Sequence, residues 1–283
     1  MSKDRIEIKD IDENILGDLE CVCLPEEKIN DPLFIEGDLM WRKWVRENLK
    51  RYDTIGKIAC SPEEIVGFIQ YVPKPEKKLV EIKCTFEKKG QDDYPIKETL
   101  LKETILEFKE PKPYFRGDTA NALVTFPEHV LQNVAEEKFY MANGFKQANS
   151  NPYLLYYPLK EGYTYVSEPR NILIDEMDRD KALIFCNTSS PYCVKEMMDA
   201  LETLRDMDKD IPIKIVIPYE EPKKLAHVFS MPLCMVINEK VIEYSLLDDE
   251  EFLEKMKIAL NREDSVAEDK RRYHHFPTSF STA

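Results

Sequence analysis

The sequence predicts an α/β (α+β) chain of two successive α/β units, the first larger than the second. Three observations predict it. Strand-like apolar alternation and helix-like apolar spacing exchange repeatedly, as where RIEIKDI is followed by NILGDLECVCL. A polar, weakly periodic stretch, KEGYTYVSEPRNILIDEMDRDK, interrupts that exchange between Lys160 and Lys181. The 283 residues, 43% of them apolar, are enough for two cores.

Taken in order, Arg5 to Ile11 alternates as a strand, and Asn14 to Leu24 has the spacing of a helix. A second helix is expected in DLMWRKWVRENLKRY, with Leu39, Trp41, Trp44, Val45 and Leu49 on one face. TIGKIACS and EIVGFIQYV read as antiparallel strands joined by the turn SPEE around Pro62. In KLVEIKCTFE, Leu79, Glu81, Lys83 and Thr85 are expected on one face of a strand, with Val80, Ile82, Cys84 and Phe86 on the other. YPIKETLLKETILEF is a helix starting near Pro95, and NALVTF a strand. PEHVLQNVAEEKFYMANGF is a helix stopped by Gly144, and NPYLLYYPL closes the first unit as a strand. The second unit reads strand ALIFCN, helix SPYCVKEMMDALETLRD, strand IPIKIVIP, short helix EPKKLAHVF, strands LCMVIN and KVIEYSL around NEK, and helix DDEEFLEKMKIALN. The expected boundaries are 1–162, a linker at 163–180, 181–262, and a polar tail at 263–283.

Charge and cysteine usage exclude several function classes. Forty Lys and Arg against 54 Asp and Glu give a net charge of −14, which repels phosphate backbones and anionic lipid, so neither nucleic acid nor membrane is an expected partner. MSKDRIEIKDIDEN has no apolar leader core and no later run is long enough to span a bilayer, so a cytoplasmic location is expected. The seven cysteines are scattered through apolar segments. Cys21, Cys23, Cys60 and Cys84 could be drawn as a zinc set, but the spacing of the first pair does not suit a chelate and no histidine lies near; reduced core thiols and no metal are expected. His129 and His227 stand singly on helices, read as surface or packing residues. No P-loop, nucleophile elbow or HExxH is present.

The order of elements up to FYMANGF, Phe139 to Phe145, resembles the GNAT family of acetyltransferases over roughly residues 1–160. The resemblance implies transfer of an acyl group from acetyl-CoA to an amine, on a small molecule or a peptide. It places Tyr140 where a phenol protonates the departing coenzyme A thiolate, and Asn133 on the pantetheine arm. Read by themselves, Phe139 and Tyr140 are core aromatics and Asn133 an exposed helical residue. The amine needs a base, for which Glu81 is the candidate; the alternative is a solvated strand face. The family's diphosphate loop, Q/R-x-x-G-x-G/A, corresponds here to KKGQDDYPIKETLL. Aligned on Ile96, Leu100 and Leu101, it has Pro95 and Lys97 where glycines belong; aligned on Gln91, it has Tyr94 and Ile96 there. Pro95 removes a donor, and Asp92 and Asp93 oppose an anion, whereas Lys88, Lys89 and Lys97 supply cations. A helix capped by Asp93 and carrying no ligand is the alternative.

In the second unit ALIFCN, SSPYCVKEMMDALETL and SMPLCMVINEKVI resemble the thioredoxin-like fold in its glutaredoxin form, and the pairing of the two units resembles the YoaP-like acetyltransferases, to about Asn261. The resemblance puts the reactive motif at Ser190, Pro191, Tyr192 and Cys193 and a cis-proline at Pro232. With Ser190 in the nucleophile's place no mixed disulfide forms there, so a redox-inactive accessory unit is expected. Cys186, Cys193 and Cys234 are either three reduced buried thiols or an unconventional cluster, and a groove between Ser190, Tyr192 and Pro232 could take an extended peptide. Three functions stay open: an N-acetyltransferase, a non-catalytic binding protein that keeps both folds but has lost the coenzyme A diphosphate loop, and a thiol-dependent redox protein.

Overall fold

Asp31 and Pro32 decide where the first long helix begins. In the computed structural model the Asp31 carboxylate accepts a hydrogen bond from the Leu33 N–H at 3.0 Å and Pro32 stands in the first turn, so α1 runs Pro32–Tyr52 rather than starting at Asp38. Its inward stripe is Phe34, Gly37, Trp41, Trp44, Val45 and Leu49; Leu39, expected there, is 63% exposed because it lies off the 3–4 residue spacing of the others. The structure describes residues 6–16, 19, 28–88, 95–127, 134–149, 151–166, 172, 174–217, 220, 234–242 and 249–260. Most of the helix expected at 14–24, the one at 221–229, Lys89, Asp93, His129, Asn133, His227, Pro232, the tail at 263–283 and the side chain of Cys193 fall outside them.

Seven strands make the first sheet: β1 (Glu7–Asp10), β2 (Gly56–Cys60), β3 (Ile65–Lys74), β4 (Leu79–Glu87), β5 (Ala122–Thr125), β6 (Lys146–Ala148) and β7 (Asn151–Pro158). Their order is β1-β2-β3-β4-β5-β7-β6, antiparallel throughout except for the parallel pair β4 and β5. That pair needs a crossover, which α2 (Ile96–Phe108) provides. β6, three residues long, carries too few positions to show alternation and was not expected. Ile96, Leu100, Leu101 and Phe108 of α2 and Tyr140 of α3 (Val134–Ala142) pack with Ile69, Tyr71, Val80 and Ile82 on one face. Trp41, Trp44, Val45 and Leu49 of α1 pack with Ile58, Phe68 and Val72 on the other.

One extra residue reverses the faces of β4. Gln70 stands opposite Cys84 and Tyr71 opposite Ile82, which leaves Lys83 without a counterpart as a β-bulge. Val80 and Ile82 accordingly face α2, while Cys84 and Phe86 join the α1 side. The strict alternation expected for KLVEIKCTFE holds only up to the bulge.

The second sheet has the order β11-β10-β8-β9, from β8 (Ala182–Phe185), β9 (Ile213–Val216), β10 (Cys234–Ile237) and β11 (Lys240–Ile242). β8 and β9 are parallel and joined through α4 (Tyr192–Met207); β10 is antiparallel to both β8 and β11. Asn238 and Glu239, at φ 48° and 65°, form the tight turn whose twist suits a two-residue hairpin. Met197 and Leu204 of α4 and Met256 and Ala259 of α5 (Asp249–Leu260) cover one face of this sheet. The polar stretch before it carries its own anchors: Tyr165 packs against Tyr156, Ile172 and Ile174 reach the other face of the second sheet, and buried Asp178 pairs with Lys181 and Lys214. Among the described residues no helix is long and apolar enough to cross a membrane.

Candidate active site

β4 and β5 pair from Leu79 with Ala122 to Ile82 with Thr125 and then part, although β4 continues to Glu87. Two local causes coincide there. The bulge at Lys83 bends β4, and Pro127, two residues beyond β5, has no N–H to extend the ladder. Beyond Ile82, the backbone of β4 on that side is no longer paired to β5.

Tyr140 reaches into this fork. Its Oη is hydrogen-bonded to Thr85 Oγ1 of β4 at 2.6 Å. The bulge is what brings Thr85 round to the α3 side. Burial, at 1% exposure, pushes the phenol's pKa well above its ordinary value; the Glu136 charge adds to this, and the hydrogen bond with Thr85 offsets only part of it. Helix α3 stops as expected at Gly144, whose φ of 88° suits a residue without Cβ. The Phe145 N–H returns to the Tyr140 carbonyl at 3.1 Å, and the Phe145 ring meets the Tyr140 ring edge-on at 4.9 Å. The phenol is thereby held on both sides.

Glu81 is not a solvated residue. It is 1% exposed, with Oε1 accepting from Lys83 Nζ at 2.7 Å and Lys74 Nζ 3.3 Å from Oε2. It lies between Val80 and Ile82 and so faces away from Tyr140, so the two candidate proton carriers occupy opposite faces of β4. At the start of α2 the cap position is taken by Pro95 rather than Asp93, and among the described residues no side chain caps that end. Ile96 is fully buried, and a Cβ added to Gly67 would lie 2.5 Å from its Cγ2; its side chain belongs to the core, leaving only its backbone to meet a ligand. Lys97 lies over the Phe139 ring at 6.0 Å, and Lys88 is ion-paired with Glu64. Lys89 and Asn133 lie outside the described residues.

A buried ionic cluster was missed by sequence reasoning. Lys57 Nζ lies 2.6 Å from Asp10 and 2.9 Å from Glu107, Tyr71 donates to Glu107 at 2.7 Å, and Lys112 is 3.0 Å from its other oxygen. Burial alone would raise the Glu107 pKa, but hydrogen bonds from Lys57 and Tyr71 outweigh it, and the net shift is downward. The signal was a polar residue at an inward position of an apolar strand: Lys57 in GKIAC, and likewise Gln70 in IVGFIQYVPK.

The turn before α4 is built by its own side chains. Asn187 Oδ1 accepts from the Ser189 N–H at 3.2 Å and from its hydroxyl at 2.8 Å, and Ser190 Oγ accepts from the Tyr192 N–H at 3.2 Å. Among the described residues the turn packs against the first unit; Pro232, the third member of the expected groove, lies outside them. The backbone of α1 lies against Pro191, the Phe34 and Tyr192 rings meet edge-on at 5.3 Å, and Gln70 Nε2 donates to the Ser189 carbonyl at 2.9 Å. Cys186 and Cys234 pack into the cores on opposite faces of the second sheet, so these two do not form a thiol cluster. Burial pushes the Cys186 thiol up to about 12, with the Glu36 charge adding to the effect. Cys60 and Cys84 pack against the α1 core.

No family model matches the chain, and no curated protein matches it. Among solved structures its N-terminal part is similar to a GNAT-family acetyltransferase from Staphylococcus aureus, at 18% identity over 55% of this chain and 100% of that one, with a TM-score of 0.41. It is also similar to the PaiA N-acetyltransferase of Thermoplasma acidophilum in complex with coenzyme A, at 15% identity over 54% and 96% of the two chains and a TM-score of 0.34. A GNAT-family acetyltransferase from Brucella melitensis in complex with acetyl-CoA shares 13% identity over 57% and 92%, with a TM-score of 0.39.

Proposed function

We propose that this chain is a GNAT-type N-acetyltransferase, on residues 1–162, followed by a thioredoxin-like unit at 181–262 that carries no dithiol chemistry. The observation that carries the reading is the Tyr140 hydroxyl, bonded to Thr85 where β4 and β5 part beside the bulge. Acetyl-CoA would supply the acyl group as an activated thioester. The parted strands offer backbone no longer paired to β5 on one side and a phenol on the other. Burial raises the pKa of that phenol, so its oxygen carries a proton throughout the physiological range and is always a donor. Glu81, on the opposite face, is the carboxylate proposed to take the proton from an amine, of a small molecule or a peptide; to do so it must loosen its contact with Lys83. The backbone at Ile96, with Lys88, Lys89 and Lys97, would hold the diphosphate at the start of α2, where no described side chain competes for the N–H groups, and Asn133 would hold the pantetheine arm.

The order β11-β10-β8-β9, with β8 and β9 parallel and the last two strands forming a hairpin, supports the thioredoxin-like reading of the second unit. Ser190 has no thiol, and Cys186 is buried with a raised pKa, which argues against exchange. A second reading, a non-catalytic binding protein that keeps both folds but has lost the coenzyme A diphosphate loop, draws on the same fork: Tyr140 is fully buried and its hydroxyl is engaged by the chain's own Thr85. Acetyl-CoA titration followed by calorimetry decides between them. Binding supports the transferase, and no heat at millimolar ligand leaves only the silent protein.

A further inference from the structure

Resting on the acyltransferase reading, we infer that docking of the second unit shapes the β4 bulge, with Gln70 as the positioning residue that couples the two. Gln70 is 2% exposed and stands opposite Cys84, the first paired residue beyond the bulge, next to the Thr85 that holds Tyr140. Its Oε1 accepts from the Trp41 indole at 2.9 Å, and its Nε2 donates to the Ser189 carbonyl at 2.9 Å. An indole only donates and a carbonyl only accepts, so the amide has one orientation and both of its ends are committed. One end belongs to α1 and the other to the second unit.

The joint leaves no slack. A Cβ on Gly37 would stand 2.1 Å from the Pro191 carbonyl oxygen, so α1 touches the turn with bare backbone. Phe34 against Tyr192 continues the contact, Met40 reaches the second core, and Lys43 pairs with Glu220 at 2.7 Å. A displaced turn either strands the Gln70 amide in a buried place or carries it along. An unmet buried donor is costly enough that the amide follows, taking the β3 backbone with it at the position where the register with β4 shifts. The chain of contact runs from Ser189 through Gln70 to Cys84, Thr85 and the Tyr140 hydroxyl. This also accounts for Ser190: the turn serves as a docking surface for α1 and needs no nucleophile, only the hydroxyl that receives the Tyr192 N–H.

The test is Gln70→Glu. When protonated, the introduced carboxyl reproduces both hydrogen bonds; when ionised, it turns an acceptor towards the Ser189 carbonyl. Amide hydrogen exchange at Lys83 to Phe86 should be faster than wild type at neutral pH. Release of coenzyme A thiol from acetyl-CoA, with n-butylamine as probe amine, should fall about tenfold at unchanged KM for acetyl-CoA, the size expected of slight misplacement. Both should return towards wild type as the pH is lowered, measured against wild type at each pH. Gly37→Ala, which pushes on Pro191 without touching either strand, should also speed exchange at Lys83 to Phe86. If exchange at 188–190 rises in both variants while exchange at 83–86 stays that of wild type, the coupling is refuted. If wild type fails to bind acetyl-CoA, the transferase reading falls and the exchange data still decide the coupling.

Discussion

Removing one oxygen from Tyr140 separates its structural part from its chemical one. In Tyr140→Phe the ring keeps its edge contacts with Phe139 at 5.1 Å and Phe145 at 4.9 Å, so no cavity forms. What is lost is the buried hydrogen bond to Thr85 at 2.6 Å. At about 1 kcal/mol, that lowers the melting temperature by about 2–4 °C for a chain of this size. If the phenol also protonates the departing thiolate, acyl transfer falls about 10²- to 10⁴-fold. Affinity for acetyl-CoA should stay within about twofold, because no charge or anion contact changes. Differential scanning calorimetry, calorimetric titration with acetyl-CoA and thiol release measure the three quantities separately. A variant that melts several degrees lower yet transfers at the wild-type rate would show Tyr140 to be a core phenol, with the proton donor elsewhere.

Gly67→Ala should destabilise by about 1–3 kcal/mol in urea unfolding, since overpacking forces neighbours apart. The added Cβ would meet Ile96 Cγ2 at 2.5 Å and the Phe86 carbonyl at 2.9 Å; unchanged stability would mean that α2 can shift off β3 freely. The Glu107 cluster sets a pH window. Its carboxyl is lowered from 4.5, so its stabilisation is present above that pH and is lost as pH falls through the folded value, while Lys57 is raised from 10.5 and stabilises below that pH until it deprotonates above it. Glu107→Gln should lower stability at neutral pH and flatten the acid limb, and urea midpoints that keep the wild-type acid slope would refute this. Cys186, with its thiol pushed up to about 12, should resist iodoacetamide at pH 8 in the native protein and react on unfolding; mass spectrometry showing rapid native modification would contradict its burial.

Individual elements were legible wherever one segment carried its own signal. Gly144 marked the end of α3, and Pro95 the start of α2, by local backbone chemistry alone. The Asp31 and Pro32 pair marks the start of α1 just as clearly, six residues before the helix expected from Asp38. Tyr140 was found through the motif around it. Its partners were not, because which face Thr85 occupies depends on Lys83 being one residue too many for β3 to match. Glu81 was expected either as a base or on a solvated strand face, and its alternation with Val80 and Ile82 says nothing about the two lysines that surround it.

Composition, periodicity and turn chemistry by themselves determined an acidic α/β chain and most of its described strands and helices. These are properties of contiguous residues, set by backbone preference and apolar spacing. Only the tertiary structure decided the fork between β4 and β5, the reversal of faces at the bulge, and the seating of the 188–191 turn on α1 and Gln70. Each of those arises from counting one strand against another or pressing one surface on another. Segments far apart in the chain settle such matches together, through hydrogen bonds that neither can satisfy alone.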